Sequence, residues 1–186
     1  MQKQQVIIQD LGTMEYKQAW DFQEFLLKTN VIKKSVTRDL QIAVDANALR
    51  PDQVSKEEFE TENYLLFVEH PPVFTLGKSG HMENLLISEE ERLTKGIQLF
   101  KINRGGDITF HGPGQVVGYP ILDLEKFYTD IGKYLRNIEE VIILTLEEYG
   151  IKGERSKGET GVWIDPGIPG KERKICAIVC QLHSEI

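Results

Sequence analysis

Residues 104–115, Arg-Gly-Gly-Asp-Ile-Thr-Phe-His-Gly-Pro-Gly-Gln, crowd charged and hydrogen-bonding side chains between small residues more densely than any other stretch of the chain. Gly105, Gly106, Gly112 and Gly114 allow positive φ or a close approach of ligand to backbone. The apolar runs on either side, Ile97 to Ile102 and Val116 to Leu122, read as strands. The segment is therefore expected to be a pair of tight turns joining buried strands, with Arg104, Asp107, Thr109, His111 and Gln115 displayed at the rim. A polar, glycine-rich loop carried by a sheet is well suited to holding a substrate. His111 is able to accept or donate a proton, or simply to bond its own loop. The competing reading is an ordinary cluster of turns, with Arg104 and Asp107 as a surface pair. There is no Gly-x-Gly-x-x-Gly fingerprint, and no Gly-Lys-Ser/Thr closes the segment, so it is neither a dinucleotide-binding nor a P-loop sequence. Gly77-Lys78-Ser79 does occur elsewhere, but Pro72 stands where a P-loop needs its first glycine.

Lys174 and Cys176 form a second group with chemical potential, two positions apart in an apolar run. Side chains two apart share one face of a regular strand, about 6.5 Å from each other along the backbone. On residue type alone, Lys174 is the outward side chain of an edge strand, since lysine is rarely buried without a partner. Cys176 reads as a buried, inert thiol.

The elements that must position these residues follow from spacing. Val6 to Ile8 read as a short strand. Tyr16, Ala19, Trp20, Gln23, Leu26 and Leu27 then recur at helical spacing. Lys33 and Lys34 interrupt that pattern, and residues 39–49 extend a helix that Pro51 stops. Asn63 to Glu69 and Val73 to Gly77 read as strands separated by a stiff His70-Pro71-Pro72 corner. Residues 84–93 read as a short helix in which Ser88 and Glu91 make a capping box. A long helix is expected from Asp123 to Gly150, covered on more than one side at Val141 to Leu144, with Gly150 ending it. Thr160 to Ile164 and Arg173 to Val179 read as strands joined by the Asp165–Gly170 turn.

The 186 residues suit one domain, 1–186, with a sizeable core. A net charge of -7 argues against a general nucleic-acid binder. Cys176 and Cys180 suggest no disulfide framework and lack histidine partners at zinc-site spacing. No apolar run approaches membrane-spanning length and the N-terminus is polar, so the cytoplasm is the expected compartment.

Arg104-Gly105-Gly106, Thr109 to Gln115, and Tyr119-Pro120-Ile121-Leu122-Asp123-Leu124 together resemble the signature of the lipoyl(octanoyl) transferases, which are similar in fold to lipoate and biotin ligases. The Asp10-Leu11-Gly12 opening, the run Glu69 to Gly77, Thr160-Gly161-Val162-Trp163 and Lys174 to Ile178 also match. The resemblance implies an α/β domain, α+β with a mixed sheet and outer helices, acting as an acyltransferase of lipoate biosynthesis and protein lipoylation. It implies octanoyl transfer from octanoyl-acyl carrier protein to a lysine on lipoyl domains of 2-oxoacid dehydrogenases or on the glycine cleavage H protein. It further implies a monomer with no cofactor, metal, nucleic-acid partner or membrane partner. Lys174 matches the family's catalytic lysine. Thr75, Leu76 and Gly77 fall in the run that lines the acyl pocket. Arg104, Gly105, Gly106, Thr109, His111, Gly112, Gly114 and Gln115 fall in the substrate-binding motif. His111 would handle a proton or orient the thioester carbonyl, and backbone N–H groups at Gly105, Gly106 and Gly112 would face its oxygen. In the family a cysteine thiolate attacks first and holds the acyl group as a thioester; a neighbouring lysine favours the thiolate.

The match covers roughly residues 6–178 and fails from Val179 onward. The family's nucleophile lies in a Pro-Cys-Gly context downstream of its lysine, and neither cysteine here has that context. The expectation is a domain incomplete at its C-terminus, with exposed apolar sheet surface that favours association and with defective transfer. Cys176 is the candidate surrogate nucleophile. Two other readings compete: a non-catalytic module that binds an acyl chain or acyl carrier protein, and a relative of the ligases that activates its acid with ATP.

Overall fold

The computed structural model describes residues 3–50, 52 and 59–180. In chain order the elements are β1 (Ile7–Thr13), α1 (Tyr16–Asp45), β2 (Tyr64–Glu69), β3 (Val73–Leu76), α2 (Glu89–Thr94), β4 (Gln98–Lys101), β5 (Ile108–His111), β6 (Val117–Ile121), α3 (Ile131–Glu148), β7 (Val162–Ile164) and β8 (Arg173–Cys176), with short 3₁₀ turns at Met82–Asn84 and Leu124–Lys126. The fold is mixed α/β, with parallel and antiparallel pairing in the same sheets. Contacts divide it into two compact units. The first comprises Asp107–Phe127 and the described part of Met1–Asn103; the second comprises Arg104–Gly106 and the described part of Tyr128–His183.

The first unit contains two three-stranded sheets, ordered β1-β2-β6 and β4-β3-β5. In each the central strand has one parallel and one antiparallel neighbour. Central position explains burial: Leu66 and Val68 of β2, and Val73, Thr75 and Leu76 of β3, are buried. Each fully buried aliphatic side chain of this kind contributes roughly 1.5–3 kcal/mol. Helix α1 buries Ala19, Leu26 and Asn30, the stripe that the i, i+3, i+4 spacing predicts. It runs unbroken through Lys33 and Lys34. Those two ammonium groups are neutralised where they lie, Lys33 by Glu62 at 2.9 Å and Lys34 by Asp123 at 3.1 Å and Glu125 at 2.9 Å. Paired lysines lay their aliphatic stems along the packing face, so they do not end the helix. Pro51, the expected stop, lies outside the described residues.

Asp123 is the knot of this corner. Its carboxylate accepts from the Thr61 hydroxyl at 2.8 Å and its own N–H donates to Asn63 Oδ1 at 2.9 Å. Burial alone would raise its pKa, but the Thr61 hydrogen bond and the Lys34 ammonium outweigh burial and hold it below the usual carboxylate range. The expected helix over 84–93 is shorter and later: α2 begins after Ser88, whose Oγ accepts from Glu91 N at 3.1 Å.

In the second unit, α3 starts at Ile131 rather than Asp123, because Asp130 caps it by accepting from Lys133 N at 2.9 Å. The helix is not covered on more than one side. Val141 and Leu144 are more than half exposed, and the one buried residue of the helix is Glu139. Strands β7 and β8 pair antiparallel with an irregularity: Trp163 faces Lys174, while Val162 faces Cys176. Ile175 is thus the extra residue of a bulge, and the regular alternation assumed for Lys174 and Cys176 is broken. Among the described residues no helix is long and apolar enough to cross a membrane.

Candidate active site

The glycine-rich segment is not a plain loop. Ile108–His111 forms β5, antiparallel to β3, so the two turns flank a strand. This register places Thr75 opposite Thr109, Leu76 opposite Ile108 and Val73 opposite His111. Two runs far apart in sequence, 75–77 and 107–111, therefore lie side by side. Gly77 N donates to the Asp107 carbonyl at 2.8 Å. The Asp107 carboxylate accepts from His81 N at 3.0 Å and from the Asn84 amide. Asp107 thus clasps the loop after β3.

The second turn is built by Gly112-Pro113-Gly114-Gln115, closed by Gln115 N donating to the Gly112 carbonyl at 3.1 Å. Pro113 presets its φ and Gly114 takes φ +82°, the arrangement a type II turn requires. The turn returns the Gln115 amide to His111, with Oε1 at 2.6 Å from Nδ1. Because that oxygen only accepts, Nδ1 carries the hydrogen of this bond. The His111 ring stacks on Tyr16, centroids 6.1 Å apart at 17°, and meets His70 edge-on at 5.7 Å. Tyr16 also packs against Trp20, His70 and Phe100.

His70, whose role the sequence left open, is fully buried. Its Nδ1 lies 2.8 Å from the Met14 carbonyl and its Nε2 lies 2.8 Å from the Tyr119 hydroxyl. A carbonyl only accepts, so Nδ1 donates and Nε2 accepts a hydrogen bond from the Tyr119 hydroxyl. Burial pushes the Tyr119 phenol well above its ordinary value, keeping the hydroxyl a donor. Both ring nitrogens are satisfied, and His70 is a rigid polar post behind His111.

The second unit carries Arg104, Gly105, Gly106, Lys174 and Cys176. Arg104 Nη1 donates to the Gly105 carbonyl at 2.9 Å, and Gly106 has φ +82°. Lys174 is one-third exposed, its Nζ 3.8 Å from Glu159 and 5.0 Å from the centroid of the Trp163 ring. Burial raises the Cys176 thiol pKa; the Lys174 ammonium opposes this and Glu139 reinforces it, with a net upward shift. The Cys180 thiol is raised as well by partial desolvation, on a residue that is otherwise exposed.

Glu139 has no exposed surface. Its Oε2 accepts from Arg155 Nε at 2.9 Å and lies 2.7 Å from Arg136 Nη1, while Oε1 accepts from Gly161 N at 2.9 Å. Within the first unit, then, the structure brings together Thr75, Leu76, Gly77, Thr109, His111, Gly112, Gly114 and Gln115; within the second, Lys174 and Cys176. Tyr16, His70, Tyr119, Glu139, Gly161 and Trp163 were not singled out as site residues from sequence. His70, Tyr119, Gly161 and Trp163 lie within the runs that match the family, while Tyr16 and Glu139 carried no such signal. Among the described residues no group of three His, Cys, Asp or Glu is placed to hold a metal ion.

Comparison with known proteins gives this geometry a family. The lipoyl protein ligase A/B catalytic domain matches residues 15–185, and the chain belongs to that family. Among curated relatives, a Christiangramia forsetii protein called octanoyltransferase is 56% identical over 174 residues, covering 94% of this chain and 68% of the relative. An octanoyltransferase of Flavobacterium psychrophilum is 56% identical over 171 residues, covering 92% and 67%. A bi-partite lipoate protein ligase of Thermoplasma acidophilum superposes with a TM-score of 0.53 at 17% identity, covering 92% of this chain and 54% of that one. At that identity the likeness concerns the fold alone. The chain spans about two thirds of the length of these curated relatives and about half that of the solved ligase chain.

Proposed function

We propose that both units form one catalytic domain of a cytoplasmic, monomeric octanoyltransferase. It moves an octanoyl group from acyl carrier protein to a lysine of a lipoyl domain, such as those of 2-oxoacid dehydrogenases or the glycine cleavage H protein. The observation that carries this reading is the 56% identity over 94% of the chain to a relative called octanoyltransferase. One observation in each unit supports it: the Lys174 side chain is one-third exposed, and the His111 ring is oriented by Gln115.

In the proposed reaction a cysteine thiolate attacks the thioester carbonyl. The carbon–sulfur bond to the carrier breaks, and the departing thiolate takes a proton from the Lys174 ammonium. The acceptor lysine's amine then attacks the acyl-enzyme, an amide forms, the cysteine sulfur leaves, and the amine proton returns to Lys174. Thr75, Leu76 and Gly77 line the acyl chain. Arg104, Gly105, Gly106, Thr109, Gly112 and Gly114 hold the thioester end. Neither Cys176 nor Cys180 stands between proline and glycine, and burial disfavours the thiolate of each. A chain of these 186 residues by itself is therefore defective in the first step. The same raised thiols favour a second reading, in which it binds an acyl chain or acyl carrier protein without turnover.

The test is intact-mass spectrometry of the 186-residue chain after incubation with octanoyl-acyl carrier protein, before and after hydroxylamine. The expected result is no adduct, with a hydroxylamine-sensitive octanoyl adduct once a Pro-Cys-Gly segment from a relative is appended. An adduct on Cys176 in the unextended chain would make Cys176 the nucleophile. No adduct in either chain would sink the transferase reading.

A further inference from the structure

We infer that Trp163 is the positioning residue for Lys174, acting through the face of its indole ring, and that Gly161 is present to let the lysine reach that face. The inference rests on the reading of Lys174 as the proton-handling lysine, but its geometry stands independently.

Trp163 is the cross-strand partner of Lys174. Its own N–H and carbonyl both bond Glu154, at 2.8 Å in each direction, and β8 pairs with its strand along the other edge. Lys174 Nζ lies 5.0 Å from the ring centroid, within the range where the negative face of an indole attracts a cation. Trp163 Nε1 is buried without a hydrogen-bond partner among the described residues, and such a donor would ordinarily be satisfied.

Gly161 supplies the path. Its φ is +121°, and a Cβ built there would stand 2.8 Å from Lys174 Cε and 2.3 Å from the Cys176 carbonyl. Any side chain at 161 would displace the lysine arm or part the strands. The Gly161 peptide is in turn pinned by the buried Glu139 carboxylate at 2.9 Å. Glu159 also lies near the ammonium, at 3.8 Å, with its side chain more than half exposed, so of these two the ring is the rigid member. Contact with a ring face attracts the Lys174 cation and restricts the lysine's rotamers. It therefore delivers an aimed Nζ.

The test is competitive acetylation of the 186-residue chain with trace acetic anhydride at fixed pH, read by peptide mass spectrometry. Lys152, whose side chain is 83% exposed, serves as the internal reference. In Trp163→Leu the amine at Lys174 should label about two- to fivefold faster relative to Lys152, the range a solvent-accessible cation–π contact allows. Incorporation of mono-, di- and trifluorotryptophan drains the ring face without changing its shape. It should raise Lys174 labelling stepwise, which a merely structural role would not do. If Trp163→Leu opens the β7–β8 hairpin, the fluorinated series decides. Lys174 labelling that is flat across that series overturns the inference. Failure of the catalytic reading looks different: the labelling pattern persists, while acyl transfer by the chain extended with the Pro-Cys-Gly segment is insensitive to Lys174→Ala.

Discussion

Replacing Glu139 by glutamine probes the centre of the second unit with almost no change of shape. The amide oxygen can keep the Gly161 N–H. The new amide N–H group, however, points at Arg155 Nε and Arg136 Nη1, which stand 2.9 Å and 2.7 Å from the present Oε2. Donor then faces donor; Arg136 loses its carboxylate partner, while Arg155 keeps only Glu140 at 2.7 Å. Removing one member of a fully buried pair costs about 3–5 kcal/mol. Here the Arg155 and Arg136 side chains retain 36% and 46% exposure, so water recovers part of the loss and about 2–3 kcal/mol is expected. In a chain of this size that lowers Tm by roughly 4–12 °C, measurable by differential scanning calorimetry. A double-mutant cycle with Arg155→Met should show coupling of about 1–3 kcal/mol. If Glu139→Gln melts with the parent chain and the cycle is additive, Glu139 is not the anchor described, and the account of how Gly161 is held fails with it.

Tyr119→Phe leaves His70 Nε2 buried without a donor and should cost about 1–3 kcal/mol in urea unfolding; a loss no larger in a His70-containing chain than in His70→Leu would refute the pairing. Asp123, held below its ordinary range, stabilises the fold fully above the unfolded carboxylate value of about 4, and that stability is lost as pH falls through the lower folded value. The parent's urea midpoint should therefore fall between pH 6 and pH 3 more steeply than that of Asp123→Asn, and parallel profiles would contradict the assignment. Cys176, its thiol raised by burial, should react with iodoacetamide at pH 7.5 more slowly than an unstructured cysteine peptide; faster alkylation would restore it as a nucleophile.

Local chemistry made several elements legible in the sequence. Ser88 and Glu91 announced the start of α2, Gly112-Pro113-Gly114 announced a turn, and the Tyr64–Glu69 and Val73–Leu76 runs announced strands, because caps, turns and buried strands are written in adjacent residues. The family was legible for the same reason, since its motifs are contiguous. What tertiary structure alone decided depends on partners distant in the chain. Lys33 and Lys34 look like a helix end until Glu62 and Asp123 arrive. Ile108–His111 looks like loop until β3 offers its edge. Glu139 looks like one more solvated carboxylate until Arg155 and Gly161 close on it. The bulge at Ile175, which sets Lys174 against Trp163 and breaks the face it was expected to share with Cys176, arises only from the register of β7 against β8. A side-chain charge or a strand edge takes its meaning from what it meets in space, and sequence spacing carries no record of that meeting.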